Sequence, residues 1–115
     1  MIRKNQEMEK ELRQRMRGGN GSVEIVHIFR KQELKGRTRL FARLRLPAGS
    51  SIGFHRHESE EEIFYILAGA GEVSEGGPTS PVGPGDAVHT GDGAGHAIAN
   101  TGTEPLDFLA VILVY

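Results

Sequence analysis

Residues 49–69 read GSSIGFHRHESEEEIFYILAG, and this stretch decides the fold class. Two short strands are predicted in it, Ile52 to His57 and Glu61 to Ala68, because β-branched and aromatic residues are frequent there and a polar connection separates them. The rest of the chain repeats this pattern of short apolar runs between turn residues, with 16 glycines in 115 residues. Many tight turns between short strands indicate an all-β sandwich or barrel.

A cluster of metal-binding side chains is predicted at the junction of these two strands. His55 and His57 are two residues apart, so on a strand they point to the same face and can bind one ion together. Glu62 offers an oxygen ligand from the next strand, and His96 follows a glycine-rich loop and can complete the set. Three imidazoles and one carboxylate suit Mn, Fe, Ni or Co, or Zn in a four-coordinate site.

The same residues carry a resemblance to a known family. The first cupin motif, G-x5-H-x-H-x4-E-x6-G, is matched at every defined position, by Gly49, His55, His57, Glu62 and Gly69. Residues 85–100 resemble the second motif, G-x5-P-x-G-x2-H-x3-N, with matches at Gly85, Gly93, His96 and Asn100 and with Gly91 in place of proline. The resemblance implies a cupin double-stranded β-helix (jelly-roll) barrel, often dimeric, with His55, His57, Glu62 and His96 as metal ligands.

A closer resemblance is to small single-domain bacterial cupins described as oxalate decarboxylase-like. Residues 16–19 (MRGG) and 108–112 (FLAVI) read like that group. This closer resemblance implies manganese as the metal, with Fe, Ni, Zn and Co as alternatives, and a small dicarboxylate or 2-oxo acid as the ligand. Three functions stay open: a carboxylate-binding cupin that decarboxylates or otherwise transforms its ligand, an Fe or Ni dioxygenase or sugar isomerase or epimerase, and a non-catalytic binding or sensing cupin.

No catalytic residue is assigned from the sequence. Decarboxylation of oxalate needs an acid positioned to deliver a proton. Glu58 and Glu60 are expected near the mouth of the site, but no pattern singles either out. Glu61 replaces Glu62 as the ligand only if the spacing slips by one residue, and strand alternation places it on the opposite face.

Several neighbours of the cluster have predicted positions. Phe64 and Ile66 share a strand face with Glu62 and should wall the pocket, whereas Tyr65 faces the other way. Asn100 is expected to fix a turn. Of the other histidines, His89 is predicted as a structural residue near the site and His27 as a surface or interface residue. One arginine could pair with an anionic ligand at the metal, and the sequence leaves five open: Arg17, Arg39, Arg43, Arg45 and Arg56.

An N-terminal helix is predicted from Arg3 to Arg17, because Met8, Leu12 and Met16 recur every four residues and glycines follow. The chain is divided accordingly into residues 1–21, a helix with a Gly-rich connector, and residues 22–115, the barrel.

Eight to ten strands are expected in the chain as a whole. Those outside residues 49–69 are Val23 to Phe29, Thr38 to Leu46, a short strand from Val73, Ala87 to Thr90, His96 to Ala99 and Leu106 to Tyr115. The last is apolar on both faces, which predicts a central strand covered on both sides.

Bulk composition excludes several classes. A formal net charge of −1 argues against nucleic-acid binding, and no run is long and apolar enough to span a membrane. The absence of cysteine excludes disulfides and thiolate-bound zinc. We expect a cytoplasmic protein, and a homodimer, because a chain this short buries a limited share of its surface alone.

Overall fold

The computed structural model describes all residues 1–115, and strands form most of it. The strands are β1 (Glu9–Gln14), β2 (Ser22–His27), β3 (Thr38–Leu46), β4 (Ser51–Arg56), β5 (Glu60–Ala68), β6 (Gly71–Ser74), β7 (Thr79–Val82), β8 (Ala87–Gly91), β9 (Gly95–Asn100) and β10 (Leu106–Val114). The three helices are single 3-10 turns at Asn5–Glu7, Met16–Gly18 and Lys31–Glu33. None of them could cross a membrane. Cytoplasmic residence stays a prediction.

The strands form two antiparallel sheets that enclose one core. The larger sheet has the order β1-β2-β3-β10-β5-β8, and the smaller has the order β4-β9-β6-β7. Inward side chains from both sheets build a core of 13 buried residues: Val23, Ile25, Ala42, Leu44, Leu46, Ile52, Phe64, Ile66, Val73, Ile98, Leu106, Phe108 and Ala110. The expected all-β jelly-roll barrel is confirmed.

The predicted N-terminal helix is wrong. Residues Glu9–Gln14 form β1, which pairs with β2 from Glu9 opposite His27 to Gln14 opposite Ser22. A spacing of four residues fits the helical period of 3.6, but it is also a multiple of the strand period of two. The free edge of β2 favours the strand over the helix, because it pairs the backbone N–H and C=O groups of β1 in an antiparallel ladder. The domain boundary at residue 21 stays a prediction.

The final strand is central, as expected, but only one of its faces is fully covered. β10 lies between β3 and β5, and its inward side chains Leu106, Phe108, Ala110 and Ile112 are buried. The outward side chains Leu109, Val111 and Leu113 are only half-buried, because no part of the chain packs over this face of the larger sheet.

A bulge in β4 aims the histidine pair into the barrel. Ile52 pairs with Ile98 and His55 pairs with His96, so Gly53 and Phe54 together oppose the single residue between the two partners. The extra residue reverses the alternation of the strand. Ile52 and His55 therefore both face inward, and Phe54 is left 45% exposed.

Candidate metal centre

The structure brings the four predicted ligands together between the two sheets. His55 lies on β4, His57 follows it by two residues, His96 lies on β9 and Glu62 lies on β5. One ligand atom from each lies within 4.8 Å of all the others. His57, Glu62 and His96 are buried, and His55 is half-buried.

The separations between these atoms match those of ligands around a single ion. Nε2 of His57 lies 3.0 Å from Nε2 of His96, and Oε1 of Glu62 lies 2.9 Å from each. Nε2 of His55 lies 4.0 Å from Oε1 of Glu62. Adjacent ligands of an octahedral ion with bonds of about 2.1 Å are about 3.0 Å apart, and those of a tetrahedral ion about 3.4 Å. The donor set fits a divalent metal ion.

Each imidazole has a partner on its other nitrogen, which leaves Nε2 for the centre. Nδ1 of His55 donates to the carbonyl oxygen of Gly53 at 2.8 Å, and Nδ1 of His57 donates to Oε2 of Glu60 at 2.7 Å. Nδ1 of His96 lies 2.9 Å from the Thr90 hydroxyl. Such outer partners fix the tautomer and orientation of metal-binding histidines.

The electrostatics of the cluster favour a bound cation. The hydrogen bond to Glu62 raises the pKa of His57, whereas burial lowers the pKa of His55. Burial acts to raise the pKa of Glu62, but hydrogen bonds from His57 and His96 outweigh it and hold that pKa below its usual value. The carboxylate is therefore ionised among converging nitrogens, and a metal ion can replace the protons that otherwise hold these groups together.

A cavity of about 90 Å³ opens onto the cluster. Phe64 lines it and stacks on the His96 ring at 4.8 Å between centroids, as expected for a wall residue. Ile66 does not line the cavity, contrary to expectation, because it is fully buried in the core, and Tyr65 is 45% exposed on the opposite face as expected. The volume is well below the roughly 300–1,000 Å³ of pockets for drug-sized ligands, so it favours a small ligand.

Of the five arginines left open by the sequence, Arg17 and Arg39 line this cavity. Arg43 pairs with Asp107, and Arg45 projects from the outer face of β3. Arg56 lies over the Phe54 ring and donates to the carbonyl of Gly93. Arg13 also lines the cavity, and the sequence does not indicate this because the position depends on the unexpected strand β1.

The other histidines do not lie where they were expected. His89 is on the outer face of β8, where its Nε2 lies 2.7 Å from Oε1 of Glu61, and it is not beside the cluster. The next residue, Thr90, faces inward and contacts His96, so strand alternation turns His89 outward. His27 is buried, lines the cavity and lies 2.6 Å from Oε1 of Glu11. Strand alternation is the signal that indicates this position, because His27 shares a face of β2 with the core residues Val23 and Ile25.

The structure also shows the positions of Glu58 and Glu60, the two acidic residues considered as proton donors. Glu60 binds Nδ1 of His57 and forms a two-point pair with Arg39 at 3.0 and 2.9 Å. The Arg39 guanidinium lowers the pKa of Glu60, so this group is an ionised carboxylate. Glu58 is exposed and does not line the cavity.

The motif glycines and Asn100 shape the turns around the cluster. Gly49, Gly69, Gly85 and Gly93 all have positive φ, a conformation that other residues rarely adopt. Asn100 donates to the carbonyls of Leu46 and Glu104, which fixes a turn as expected.

The family model of the cupin domain matches residues 42–112 of the chain, a span that contains all four predicted ligands. The chain is a cupin. The oxalate-binding protein of Thermotoga maritima is 45% identical to this cupin over 114 residues, which cover 99% of this chain and 94% of that protein. A dimethylsulfoniopropionate lyase of Ruegeria pomeroyi is 44% identical over 69 residues, but these cover only 32% of the lyase.

Solved structures agree with this assignment. The crystal structure of a predicted oxalate decarboxylase from Thermotoga maritima covers all of this cupin with a TM-score of 0.95 and 44% identity. A polyketide cyclase from Streptomyces resistomycificus covers 99% of the chain with a TM-score of 0.79 at 19% identity, a likeness of fold alone.

Proposed function

We propose that this cupin binds one divalent metal ion, manganese, through His55, His57, Glu62 and His96, and binds a small dicarboxylate such as oxalate at that ion. The observation that carries the proposal is the convergence of the three Nε2 atoms and one Glu62 oxygen, each ring held by a partner on Nδ1. The bound metal supplies the positive charge and open positions that take up carboxylate oxygens.

The cavity supports a small anion rather than a sugar. Its volume of about 90 Å³ is small, and three arginines line it together with the cluster, Arg13, Arg17 and Arg39. Guanidinium groups bind carboxylates through two parallel hydrogen bonds. The 45% identical relative from Thermotoga maritima carries the name oxalate-binding protein, which supports the same ligand class.

Binding without decarboxylation is the function supported best. Decarboxylation would need an acid that delivers a proton to the ligand. Glu62 is an expected metal ligand, and Glu60 is ionised and held by His57 and Arg39. Neither carboxyl group is free to act as that acid.

Thermal unfolding of the metal-loaded and the metal-free protein tests the proposal. Millimolar oxalate should raise the Tm of the manganese-loaded protein and leave that of the metal-free protein unchanged, because a ligand stabilises only the form that binds it. His57→Ala should abolish the effect, and His89→Ala, on the outer surface, should keep it. An equal rise with and without metal, or no rise at all, would overturn the proposal.

We also propose that the chain forms a homodimer through the outer face of the larger sheet. Tyr65 and Leu67 are 45% and 46% exposed there, beside the half-buried outward residues of β10. A second copy is the occupant proposed, because the small chain leaves this apolar face uncovered and a two-fold pairing is self-complementary.

A further inference from the structure

The arginines at the cavity differ in whether a carboxylate of the protein already holds them. Arg13 donates through Nε to Glu11 at 3.1 Å, and Arg39 is held by Glu60. Arg17 lines the same cavity, yet its side chain forms no hydrogen bond or ion pair with the protein. It is the one arginine of the three whose five N–H donors are all available to a ligand.

The backbone at Arg17 is held in an unfavourable conformation. Its φ of 56° and ψ of 29° lie in the left-handed region, which costs a non-glycine residue free energy. The surrounding packing maintains it, because a β-carbon on Gly53 would overlap the carbonyl oxygen of Arg17. Strand β4 and this turn therefore fit together only with glycine at position 53.

Gly53 also connects Arg17 to the proposed metal centre. Its carbonyl oxygen accepts the hydrogen bond from Nδ1 of His55, while its α-carbon packs on the backbone of Arg17. The N-terminal segment is also held to β4 by hydrogen bonds between Asn20 and Ser51. The fold thus fixes the backbone of Arg17 relative to the expected ligands, while its exposed side chain is free to reach a ligand in the cavity.

Charge indicates which ligand such a site favours. The charge of Arg13 is neutralised by Glu11, and that of Arg39 by Glu60. The charges left without a partner at the cavity are those of the divalent ion, the Glu62 carboxylate and Arg17. Their charges sum to about +2, which matches a dianion, whereas without Arg17 the sum is about +1 and matches a monoanion.

We infer that Arg17 binds the carboxylate of the ligand and sets a preference for dianionic over monoanionic ligands. This inference rests on the proposed function, because it requires a metal-bound carboxylate in the cavity. Arg17 is then a specificity-determining residue supplied by the N-terminal segment, outside the barrel motifs that carry the ligands.

Calorimetric titration of the manganese-loaded full chain with oxalate and with oxamate tests it. Oxamate has nearly the same shape, but an amide replaces one carboxylate and removes one charge. Arg17→Gln should weaken oxalate binding about tenfold or more and change oxamate binding much less, because a charge-assisted pair is lost. Arg17→Lys should recover part of the oxalate affinity.

Arg15→Gln is the matched control. Arg15 flanks the same turn and, like Arg17, has positive φ and is exposed, but it does not line the cavity, so both affinities should stay unchanged. Manganese content should equal that of the wild type in every variant. Unchanged oxalate affinity in Arg17→Gln, or an equal loss for both anions, would overturn the inference. A wild-type protein that binds manganese but not oxalate would instead overturn the proposed function.

Discussion

At the scale of single residues, the partner of each ligand is harder to predict than the ligand. The spacing of His55, His57 and Glu62 follows from strand alternation and motif, and His96 follows from the second motif. The hydrogen bond from His57 to Glu60 depends on a turn at Ser59, whose φ is 57°. A non-glycine residue with positive φ is uncommon, so this contact could not be read from the sequence.

Substitution of this partner should weaken metal binding. Glu60→Gln keeps an acceptor for His57 but removes its negative charge, so we expect manganese affinity to fall about 10- to 100-fold. Glu61→Gln is the control, because Glu61 contacts His89 on the outer face. Competition with a fluorescent chelator measures both affinities. Equal affinities for the two variants would contradict a supporting role for Glu60.

At the scale of elements, the bulge in β4 decides which way the histidine pair faces. The sequence predicts the strand and the shared face of His55 and His57, but it does not reveal the extra residue at Gly53 and Phe54. The N-terminal segment shows a related ambiguity, because spacing by four residues fits both a helix and a strand. Only the edge offered by β2 resolves it.

Gly53→Ala should disturb the fold and the site together. The new β-carbon would overlap the backbone carbonyl of Arg17, and we expect the free energy of unfolding to fall by about 2 kcal/mol or more. Oxalate affinity should also fall, because His55 and Arg17 both contact this residue. Urea denaturation measures the stability change, with Gly77→Ala as control, since nothing lies within 4 Å of a β-carbon there. Equal stability of the two variants would contradict the close packing at Gly53.

An ion pair between Arg3 and Glu33 also holds the N-terminal segment to the turn at Lys31–Glu33, and its contribution to stability depends on pH. Hydrogen bonds from Arg3 and from the backbone of Arg30 lower the pKa of Glu33 to about 2, against 4.5 for a free group. A lowered carboxyl pKa stabilises the folded state above pH 4.5, and this contribution is lost as the pH falls toward 2.

A carbon-13 NMR titration of the Glu33 carboxyl measures this effect. Arg3→Gln should raise the pKa of Glu33 toward 4.5, whereas Arg13→Gln should not change it, because Arg13 contacts Glu11 instead. A Glu33 that titrates near 4.5 in the wild type would contradict the ion pair.

At the scale of the whole molecule, the uncovered outer sheet face is the main departure from expectation. The apolar composition of β10 predicts cover on both sides, and the chain supplies it on one side only. Sequence alone could not separate cover by the same chain from cover by a second copy, because both select the same apolar residues.

Tyr65→Glu should convert the proposed dimer into a monomer. A carboxylate at the centre of an apolar interface would lose its hydration without a partner. Thr79→Glu, on the exposed strand β7 of the smaller sheet, is the control. Light scattering coupled to gel filtration should give twice the 12.5 kDa chain mass for the wild type and the control, and 12.5 kDa for Tyr65→Glu. A monomeric wild type would contradict the dimer.

Metal content is the most direct test of the cluster as a metal centre. Elemental mass spectrometry of untagged protein, purified without chelators, should find about one divalent ion per chain in the wild type. The ion should be retained in His89→Ala and lost in His57→Ala, since only His57 belongs to the converging set. A wild-type protein that holds no metal, and takes up none when manganese or iron is added, would contradict the assignment.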